Sequence, residues 1–231
     1  MNSATVMVVV EGPTEYTFIR DVMTQVLSAQ AVHLYPVIIG VPGKKGGNVT
    51  IKRAKRDIRN LLYQRSDTYV STMFDYSGID SNWPGLSKVH RLLSTGTSLS
   101  PEQKGEILEE ETKKVIKEAF PDIDVQDRFI PYIQMHEFEA LLFSDEEILA
   151  ERIGRSLQEI QQITEEFDNP EEINNNPNQS PSKRILHIAP SYKKVIMGKI
   201  ITSSIGIPQI RGKCPHFDNW LKKLESLTNI C

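Results

Sequence analysis

Thr5–Thr14 reads TVMVVVEGPT, an apolar run rich in β-branched residues that stops abruptly at a glutamate, a glycine and a proline. Such a run predicts a strand buried on both faces, as in a parallel sheet. Glu11 follows the apolar run directly, and Gly12 permits a tight turn and the close approach of a ligand to the backbone. The helix predicted over residues 14–30 has Thr14 as its N-cap. This first unit therefore places a carboxylate at the carboxyl end of a strand.

The same alternation of strand and helix continues along the chain. Further strands are predicted over residues 32–39, 68–74 and 128–134, and a basic helix is predicted over 49–65. This β-α-β-α-β order predicts an α/β fold with a mostly parallel sheet, right-handed crossovers and a site at the carboxyl ends of the strands. Additional helices are predicted over residues 84–95, 101–120 (with Ser100 as N-cap), 144–153, 156–167, 181–187, 191–205 and 215–227.

These elements predict one structural unit with two parts. Residues 1–143 form an α/β core that carries a helical insertion at about 84–120, and residues 144–231 form a helical extension packed on that core.

The composition of the 231 residues is that of a globular protein, with 39% hydrophobic and 25% charged residues. This mixture excludes a disordered or fibrous chain. The two cysteines, Cys214 and Cys231, exclude a disulfide framework and a four-cysteine zinc site, and we expect Cys214 to be a packing residue. No basic leader precedes the first apolar run, and no stretch approaches the roughly 18 apolar residues of a membrane span. We therefore expect a cytoplasmic protein with no membrane contact.

The net charge of −3 conceals a segregated charge distribution. The net charge is +5 over residues 1–65, −1 over 66–100, −14 over 101–180 and +7 over 181–231. Two basic stretches around an acidic middle permit binding to DNA or RNA. The alternative is that amphipathic helices carry these charges only as solvated faces.

The first basic stretch contains a glycine- and lysine-rich loop over residues 40–48, which lacks the spacing of an NTPase phosphate-binding loop. Its lysines, and the basic helix that follows, can instead contact nucleic-acid phosphates, which supply affinity without sequence information. A solvated basic helix face is the alternative. The predicted nucleic-acid-binding residues of the two stretches are Lys44, Lys45, Arg53, Arg56, Lys183, Arg184, Arg211 and Lys213.

Acidic residues recur at the predicted strand ends. Asp75 closes the third strand, and Glu137 and Glu139 follow the fourth. Adjacent parallel strands lie roughly 5 Å apart, so carboxylates at their ends can share an ion with Glu11. Ligation by oxygen alone favours Mg²⁺ or Mn²⁺ over zinc. Glu15, by contrast, lies in a first helical turn, where negative charge suits the helix dipole.

Four segments of the chain resemble a known family: VEGPTE at residues 10–15, MFDY at 73–76, QMHEFEALLF at 134–143 and IRGKCPHF at 210–217. Glu-Gly after the first strand and an aspartate after the third resemble the Toprim domain of topoisomerases, primases and OLD-type nucleases. Together the four segments look like an uncharacterised bacterial Toprim-like family of unknown function, often encoded beside an ATPase. The resemblance spans nearly the whole chain, and residues 136–143 are its most specific part.

By this resemblance, Glu11 corresponds to the Toprim glutamate and Asp75 to the first aspartate of its Asp-x-Asp pair. Ser77 stands where the second aspartate is expected, so another acid has to supply the missing ligand, or metal affinity is weak. The resemblance implies a Mg²⁺- or Mn²⁺-dependent phosphodiester nuclease with Glu11 as general acid/base or ligand. The catalytic residues it implies are Glu11, Asp75 and Glu137, and the metal ligands are Glu11, Asp75, Asp80, Glu137 and Glu139.

The resemblance also implies a partner. The chain contains no recognisable ATPase, so control of cleavage is expected from an OLD-like or ABC-type ATPase, in phage defence or DNA repair. Whether the chain forms a dimer is left open. The alternative function is a non-catalytic nucleic-acid-binding or regulatory subunit of an ATPase complex with a degenerate metal site, which Ser77 favours.

Overall fold

A computed structural model describes residues 3–41, 44–47, 49–173 and 179–228 of the chain. In these residues a five-stranded parallel sheet has the order β2-β1-β5-β6, with β7 also pairing with β5, and β3 and β4 form a separate two-stranded hairpin. Helices flank the sheet, so the predicted α/β fold class is confirmed. The strands are β1 (Ala4–Val10), β2 (Val32–Ile38), β3 (Gly40–Val41), β4 (Lys44–Lys45), β5 (Thr68–Asp75), β6 (Phe129–Ile130) and β7 (Ile133–Gln134).

Strand β1 lies between β2 and β5 and pairs with both in parallel. Val10, its last residue, is opposite Ile38 of β2 and Met73 of β5. Val8 and Val10 face one apolar cluster, whereas Val9 faces the other, so both faces of the strand are buried. The parallel register means that β1 and β5 end at the same edge of the sheet, where their following residues meet.

The fourth strand predicted over residues 128–134 is interrupted. Its two halves, β6 and β7, both pair with β5 in parallel. Pro131 between them has no amide hydrogen to donate. The Tyr132 amide donates to Thr72 Oγ1 at 2.9 Å instead of joining the ladder, and the Thr72 hydroxyl donates to the Tyr132 carbonyl at 3.0 Å.

Helices cover both faces of the sheet. They are α1 (Pro13–Phe18), α2 (Thr24–Leu27), α3 (Ile51–Gln64), α4 (Leu86–Ser94), α5 (Pro101–Ala119), α6 (Val125–Arg128), α7 (Glu146–Ile153), α8 (Leu157–Thr164), α9 (Pro181–Ile188), α10 (Lys194–Ile205), α11 (Ile207–Lys213) and α12 (Pro215–Glu225). A π-helical turn (Ile19–Met23) joins α1 to α2, and 3₁₀ segments lie at Ser28–Gln30, Phe138–Ser144, Pro170–Glu172 and Ser226–Thr228.

Some predicted boundaries were wrong in detail. The N-cap of α1 is Gly12 rather than Thr14, because Pro13 already occupies the first turn and the Gly12 amide donates to the Glu15 carboxylate. Helix α10 begins at Lys194 and not at residue 191, and α6 and α11 were not predicted. The glycine-rich loop includes the β3–β4 hairpin. The predicted cap Ser100 is confirmed, since its hydroxyl accepts from the Gln103 amide in a capping box.

Two apolar clusters lie on opposite faces of the sheet. The first joins β1 and α1 to residues from the C-terminal part, including Phe138, Phe217 and Trp220, and the second joins β5 to α3, α4 and α5. The ring of Tyr132 stacks on that of Trp220 with centroids 4.2 Å apart. The C-terminal helices are therefore part of the same core as β1. In the described part of the chain, no helix is both long and apolar enough to cross a membrane.

Candidate functional site

Glu11 lies at the carboxyl end of β1, and one of its carboxylate oxygens, Oε2, is buried without a hydrogen bond in the described residues. A Cβ atom at Gly78 would lie 2.4 Å from this oxygen, so the Glu11 carboxylate occupies space that a side chain at residue 78 would need. Burial raises the pKa of Glu11, and the nearby Lys194 opposes the shift.

Asp75, the last residue of β5, is the electrostatic centre of the site. Its Oδ1 accepts a hydrogen bond from the Phe138 amide at 3.0 Å, which ties the end of β5 to the segment after β7. Burial raises the pKa of Asp75 well above its ordinary value, and four neighbouring carboxylates raise it further. These carboxylates belong to Glu15, Glu139, Glu11 and Glu137.

Glu137 is held by its neighbours on both carboxylate oxygens. Ser77 Oγ lies 3.3 Å from Glu137 Oε1, and the Ser182 amide at the start of α9 donates to Oε2 at 3.1 Å. The Ser77 amide also donates to the His136 carbonyl. Ser77 thus links the loop after β5 to the segment after β7, and it is the position at which the sequence resemblance predicts a second aspartate.

Glu139 is 1% exposed and is paired with a lysine that sequence analysis missed. Lys194 Nζ, from the first residue of α10, lies 3.2 Å from Glu139 Oε1. Burial raises the pKa of Glu139, and the charge of Lys194 opposes this. The one sequence signal for Lys194 is its place at a helix N-terminus, where the dipole disfavours a cation. That signal needs the helix boundary, which was predicted three residues too early.

Glu15 has two roles in the structure. Its carboxylate accepts the Gly12 amide at 2.9 Å, as expected of an acid in a first helical turn. It is also buried, and among the carboxylates its charge makes the largest contribution to the raised pKa of Asp75. Burial raises the pKa of Glu15 itself. The site therefore contains an acid that the sequence analysis placed in a first helical turn, where its charge suits the helix dipole.

Asp80 is the predicted ligand that the structure does not join to the others. Its backbone amide donates to the Val49 carbonyl at 3.1 Å, beside the bridge between Val49 and Ile79. Its Oδ1 is buried without a hydrogen-bond partner among the described residues. Within the described residues, the contacts given above for Glu11, Asp75, Glu137 and Glu139 involve residues other than Asp80.

The chemistry of this cluster suits a hard divalent cation, but its arrangement is incomplete. The donors are all oxygens, they repel one another, and Glu11 Oε2 lacks a partner, as expected of a site that takes Mg²⁺ or Mn²⁺. Within residues 3–41, 44–47, 49–173 and 179–228, however, no three His, Cys, Asp or Glu side chains are arranged to hold a metal. The cation paired with an acid of the cluster is Lys194, which lies beside Glu139.

Arg53, from α3, holds the glycine-rich turn beside Glu11. Its guanidinium donates to the carbonyls of Gly46 at 3.1 Å and Gly47 at 2.5 Å. A Cβ at Gly46 would lie 3.2 Å from the Glu11 carbonyl oxygen, so the turn packs against the end of β1. Arg53 therefore has a structural contact besides its predicted role at a phosphate, and its charge opposes the upward shift that burial causes in the pKa of Glu11.

The other predicted nucleic-acid-binding residues have mixed surroundings, and their role stays a prediction. Three arginines are ion-paired within the chain: Arg56 with Asp57, Arg184 with Glu166, and Arg211 with both Asp218 and Glu225. Lys183 and Lys213 are exposed. The side chains of Lys44 and Lys45 lie outside the described part of the structure, although their backbones form β4.

Comparison with known proteins identifies the family to which the sequence is similar. A family model described as a domain of unknown function (DUF4276) matches residues 10–225, and this range includes every residue of the acidic cluster. Neither the curated proteins nor the solved structures gave a match.

Proposed function

The chain belongs to the DUF4276 family, a domain of unknown function, and from the geometry of its site we propose that it is a Mg²⁺- or Mn²⁺-dependent nuclease. The substrate class is a nucleic acid, DNA or RNA, and the bond cleaved is a phosphodiester. The Toprim-like motifs in the sequence support this proposal, with the helical insertion and extension built around the α/β core.

The observation that carries the proposal is the meeting of carboxylates from three strand ends. Glu11 follows β1, Asp75 ends β5, and Glu137 and Glu139 follow β7, all at one edge of the parallel sheet. Structural ion pairs alone do not require buried like charges to gather, because each additional carboxylate raises the free energy of the folded state. Clusters of this kind, with strongly perturbed pKa values, are typical of functional sites.

Each acid has a role that follows from its contacts. Asp75 and Glu137 are fixed by amide donors, from Phe138 and Ser182, so they are suited to hold a cation in place together with Glu139. Glu11 has a free buried oxygen and a raised pKa, so its Oε2 is suited to take a proton from the attacking water. A bound divalent cation would supply charge stabilisation at the scissile phosphate and acidify that water.

Cleavage assays test this assignment. We expect Glu11→Gln and Asp75→Asn each to abolish Mg²⁺- or Mn²⁺-dependent cleavage of DNA or RNA, assayed with the ATPase partner added. Both substitutions are nearly isosteric, so the fold is retained. The matched control is Asp67→Asn, because Asp67 is an exposed acid paired with Arg65 before the start of β5. Cleavage that survives Glu11→Gln, or is lost equally in Asp67→Asn, would contradict the assignment.

The second candidate function is a non-catalytic nucleic-acid-binding or regulatory subunit. Ser77 at the second aspartate position favours it, as does the lack of three metal-holding side chains in the described residues. Mn²⁺ titration of wild type and of Ser77→Asp separates the two functions. If the site binds Mn²⁺ weakly because of Ser77, the added carboxylate tightens binding. A chain that cleaves no nucleic acid with any metal or partner is the regulatory subunit.

The partner and the biological role follow from the sequence resemblance alone. We propose that an OLD-like or ABC-type ATPase controls the nuclease, in phage defence or DNA repair. Co-purification of the chain with the product of a neighbouring ATPase gene, and ATP dependence of cleavage, test this part.

A further inference from the structure

Lys194 crosses from the C-terminal extension into the acidic cluster of the core. Its ammonium group lies 3.2 Å from Glu139 Oε1, and Glu139 is buried. The charge of Lys194 also acts on Glu11 and Glu15, and in return Glu139, Glu137 and Asp75 act on Lys194. One ammonium group thus interacts electrostatically with several carboxylates, which follow three different strands.

A cation is required at this place for physical reasons. Carboxylates that are buried close together cost free energy unless a positive charge compensates them. Oxygen ligands of this kind can be compensated by a divalent ion or by a tethered ammonium group. In the described residues Glu139 pairs with the ammonium group of Lys194, and no three of the acids are arranged around a metal.

The position of Lys194 in its own helix is unfavourable. It is the first residue of α10, Lys193 is the N-cap, and the first turn contains no acidic residue. The positive end of the helix dipole disfavours cations there. A lysine at this position is therefore compensated by the acids of the cluster and not by its own helix.

The ammonium group is also able to leave. The Lys194 side chain is 47% exposed, whereas its partner Glu139 is 1% exposed. A rotation of the flexible four-carbon stem towards solvent would separate the pair without moving the backbone of α10. Glu139 would then be left with a buried charge and an open coordination position.

We propose that Lys194 is an internal counter-ion that competes with a divalent metal for this carboxylate cluster, so that metal binding requires Lys194 to leave Glu139. This inference rests on the metal site of the proposed function and adds its regulation: whatever moves the start of α10 changes the metal affinity of the site.

Mn²⁺ binding to the full chain, measured by calorimetry without nucleic acid, tests the competition. We expect Lys194→Met to bind Mn²⁺ roughly tenfold more tightly than wild type or better, because the competing charge is gone. Lys194→Arg keeps the charge and should keep the weak affinity. The matched control is Lys193→Met, which removes one charge from the same turn and should change affinity by less than about twofold.

Thermal unfolding gives an independent readout. Without metal, Lys194→Met should melt below wild type and Lys193→Met, since the carboxylates have lost their counter-ion. Added Mn²⁺ should raise its melting temperature more than that of wild type.

The outcomes separate this inference from the proposed function. Equal Mn²⁺ affinity in wild type and Lys194→Met, or weaker binding by Lys194→Met, overturns the competition and leaves the metal site standing. If neither chain binds Mn²⁺ at all, the metal-dependent nuclease and the competition are both wrong, and Lys194 is then a permanent ion-pair partner of Glu139.

Discussion

Gly78 sets the position of Glu11 at the scale of a single residue. The Gly78→Ala methyl group would lie 2.4 Å from Glu11 Oε2, and the carboxylate would have to move. Only the end of a flexible side chain is displaced, so we expect a small loss of stability and a large loss of metal-dependent cleavage. The control is Gly212→Ala, because no atom lies within 4 Å of the added Cβ. Unchanged cleavage by Gly78→Ala would show that cleavage does not depend on the position of the Glu11 carboxylate.

The pH dependence of stability also depends on single residues. Because burial and neighbouring charges raise the pKa of Asp75, the native state holds a proton that the unfolded chain has lost, at pH values above the ordinary carboxyl range. The contribution of Asp75 to the free energy of unfolding therefore falls as pH rises through and above about pH 4. Glu11, Glu15 and Glu139 act in the same direction.

Asp75→Asn should remove part of this pH dependence. Its amide oxygen can still accept from Phe138, and the cost of burying an ionisable carboxyl group is gone, so we expect a higher melting temperature at pH 7–8. The gain is about 2–4 °C for each kcal/mol in a chain of this size. Calorimetry between about pH 4.5 and 8 should show a shallower slope for Asp75→Asn. Asp67→Asn should keep the wild-type slope, because the Arg65 hydrogen bond lowers the pKa of Asp67 to about 2.

At the scale of single residues, the sequence predicted where the acids of the cluster lie, but it did not predict that Lys194 pairs with them. Glu11, Asp75 and Glu139 could be placed because strand ends of a parallel sheet share an edge. Lys194 could not, because its contact depends on how α10 packs against α1, which no local pattern encodes. Asp80 was grouped with the acids by sequence proximity to Asp75, but its loop turns towards Val49.

Helix α3 is the element that best fits a nucleic-acid strand. Lys52, Arg56, Arg59 and Tyr63 recur at helical spacing and are exposed, and Tyr63 is 73% exposed. The Arg59 guanidinium lies 5.5 Å from the centre of the Tyr63 ring. In such a row, the exposed basic side chains can bind phosphates of a single strand, and the aromatic ring at its end can stack on one of the bases.

This stripe on α3 gives a prediction for substrate binding. In EDTA, Tyr63→Ala should weaken binding of a single-stranded oligonucleotide roughly 5- to 100-fold, since one stacked base is lost, whereas Tyr63→Phe keeps the affinity. Tyr35→Ala on β2, where Tyr35 is 53% exposed, is the control. Fluorescence anisotropy measures both. Equal affinity of Tyr63→Ala and wild type would mean that the exposed face of α3 is only solvated.

Elements with strong patterns were predictable, and those fixed by tertiary contacts were not. Strands β1, β2 and β5 agree with prediction within one residue because apolar runs bounded by glycine, proline or charge are unambiguous. The break between β6 and β7 depends on the hydrogen bonds between Thr72 and Tyr132, sixty residues apart in the chain. The predicted start of α1 was wrong because the Gly12 amide at the helix N-terminus donates its hydrogen bond to the Glu15 carboxylate, and the Thr14 hydroxyl does not act as the cap.

At the scale of the whole molecule, ion pairs between distant parts of the chain account for much of the segregated charge in the sequence. The basic C-terminal stretch packs against the acidic middle, through the ion pairs Arg184–Glu166, Lys194–Glu139 and Lys223–Glu109. Much of the charge that suggested a polyanion partner is therefore used within the chain. These three ion pairs do not involve the basic face of α3, and the predicted nucleic-acid binding depends most on this stretch.

The reach of Lys194 into the core has a consequence for synthesis. Glu11, Asp75 and Glu137 leave the ribosome well before Lys194, which follows Glu137 by more than fifty residues. At roughly 5–20 residues per second, this interval lasts seconds. During that time Lys194 is absent, and ions of the surrounding solution can take its place beside the nascent acids. The order of the chain thus exposes the growing polypeptide to cellular magnesium before its own lysine arrives.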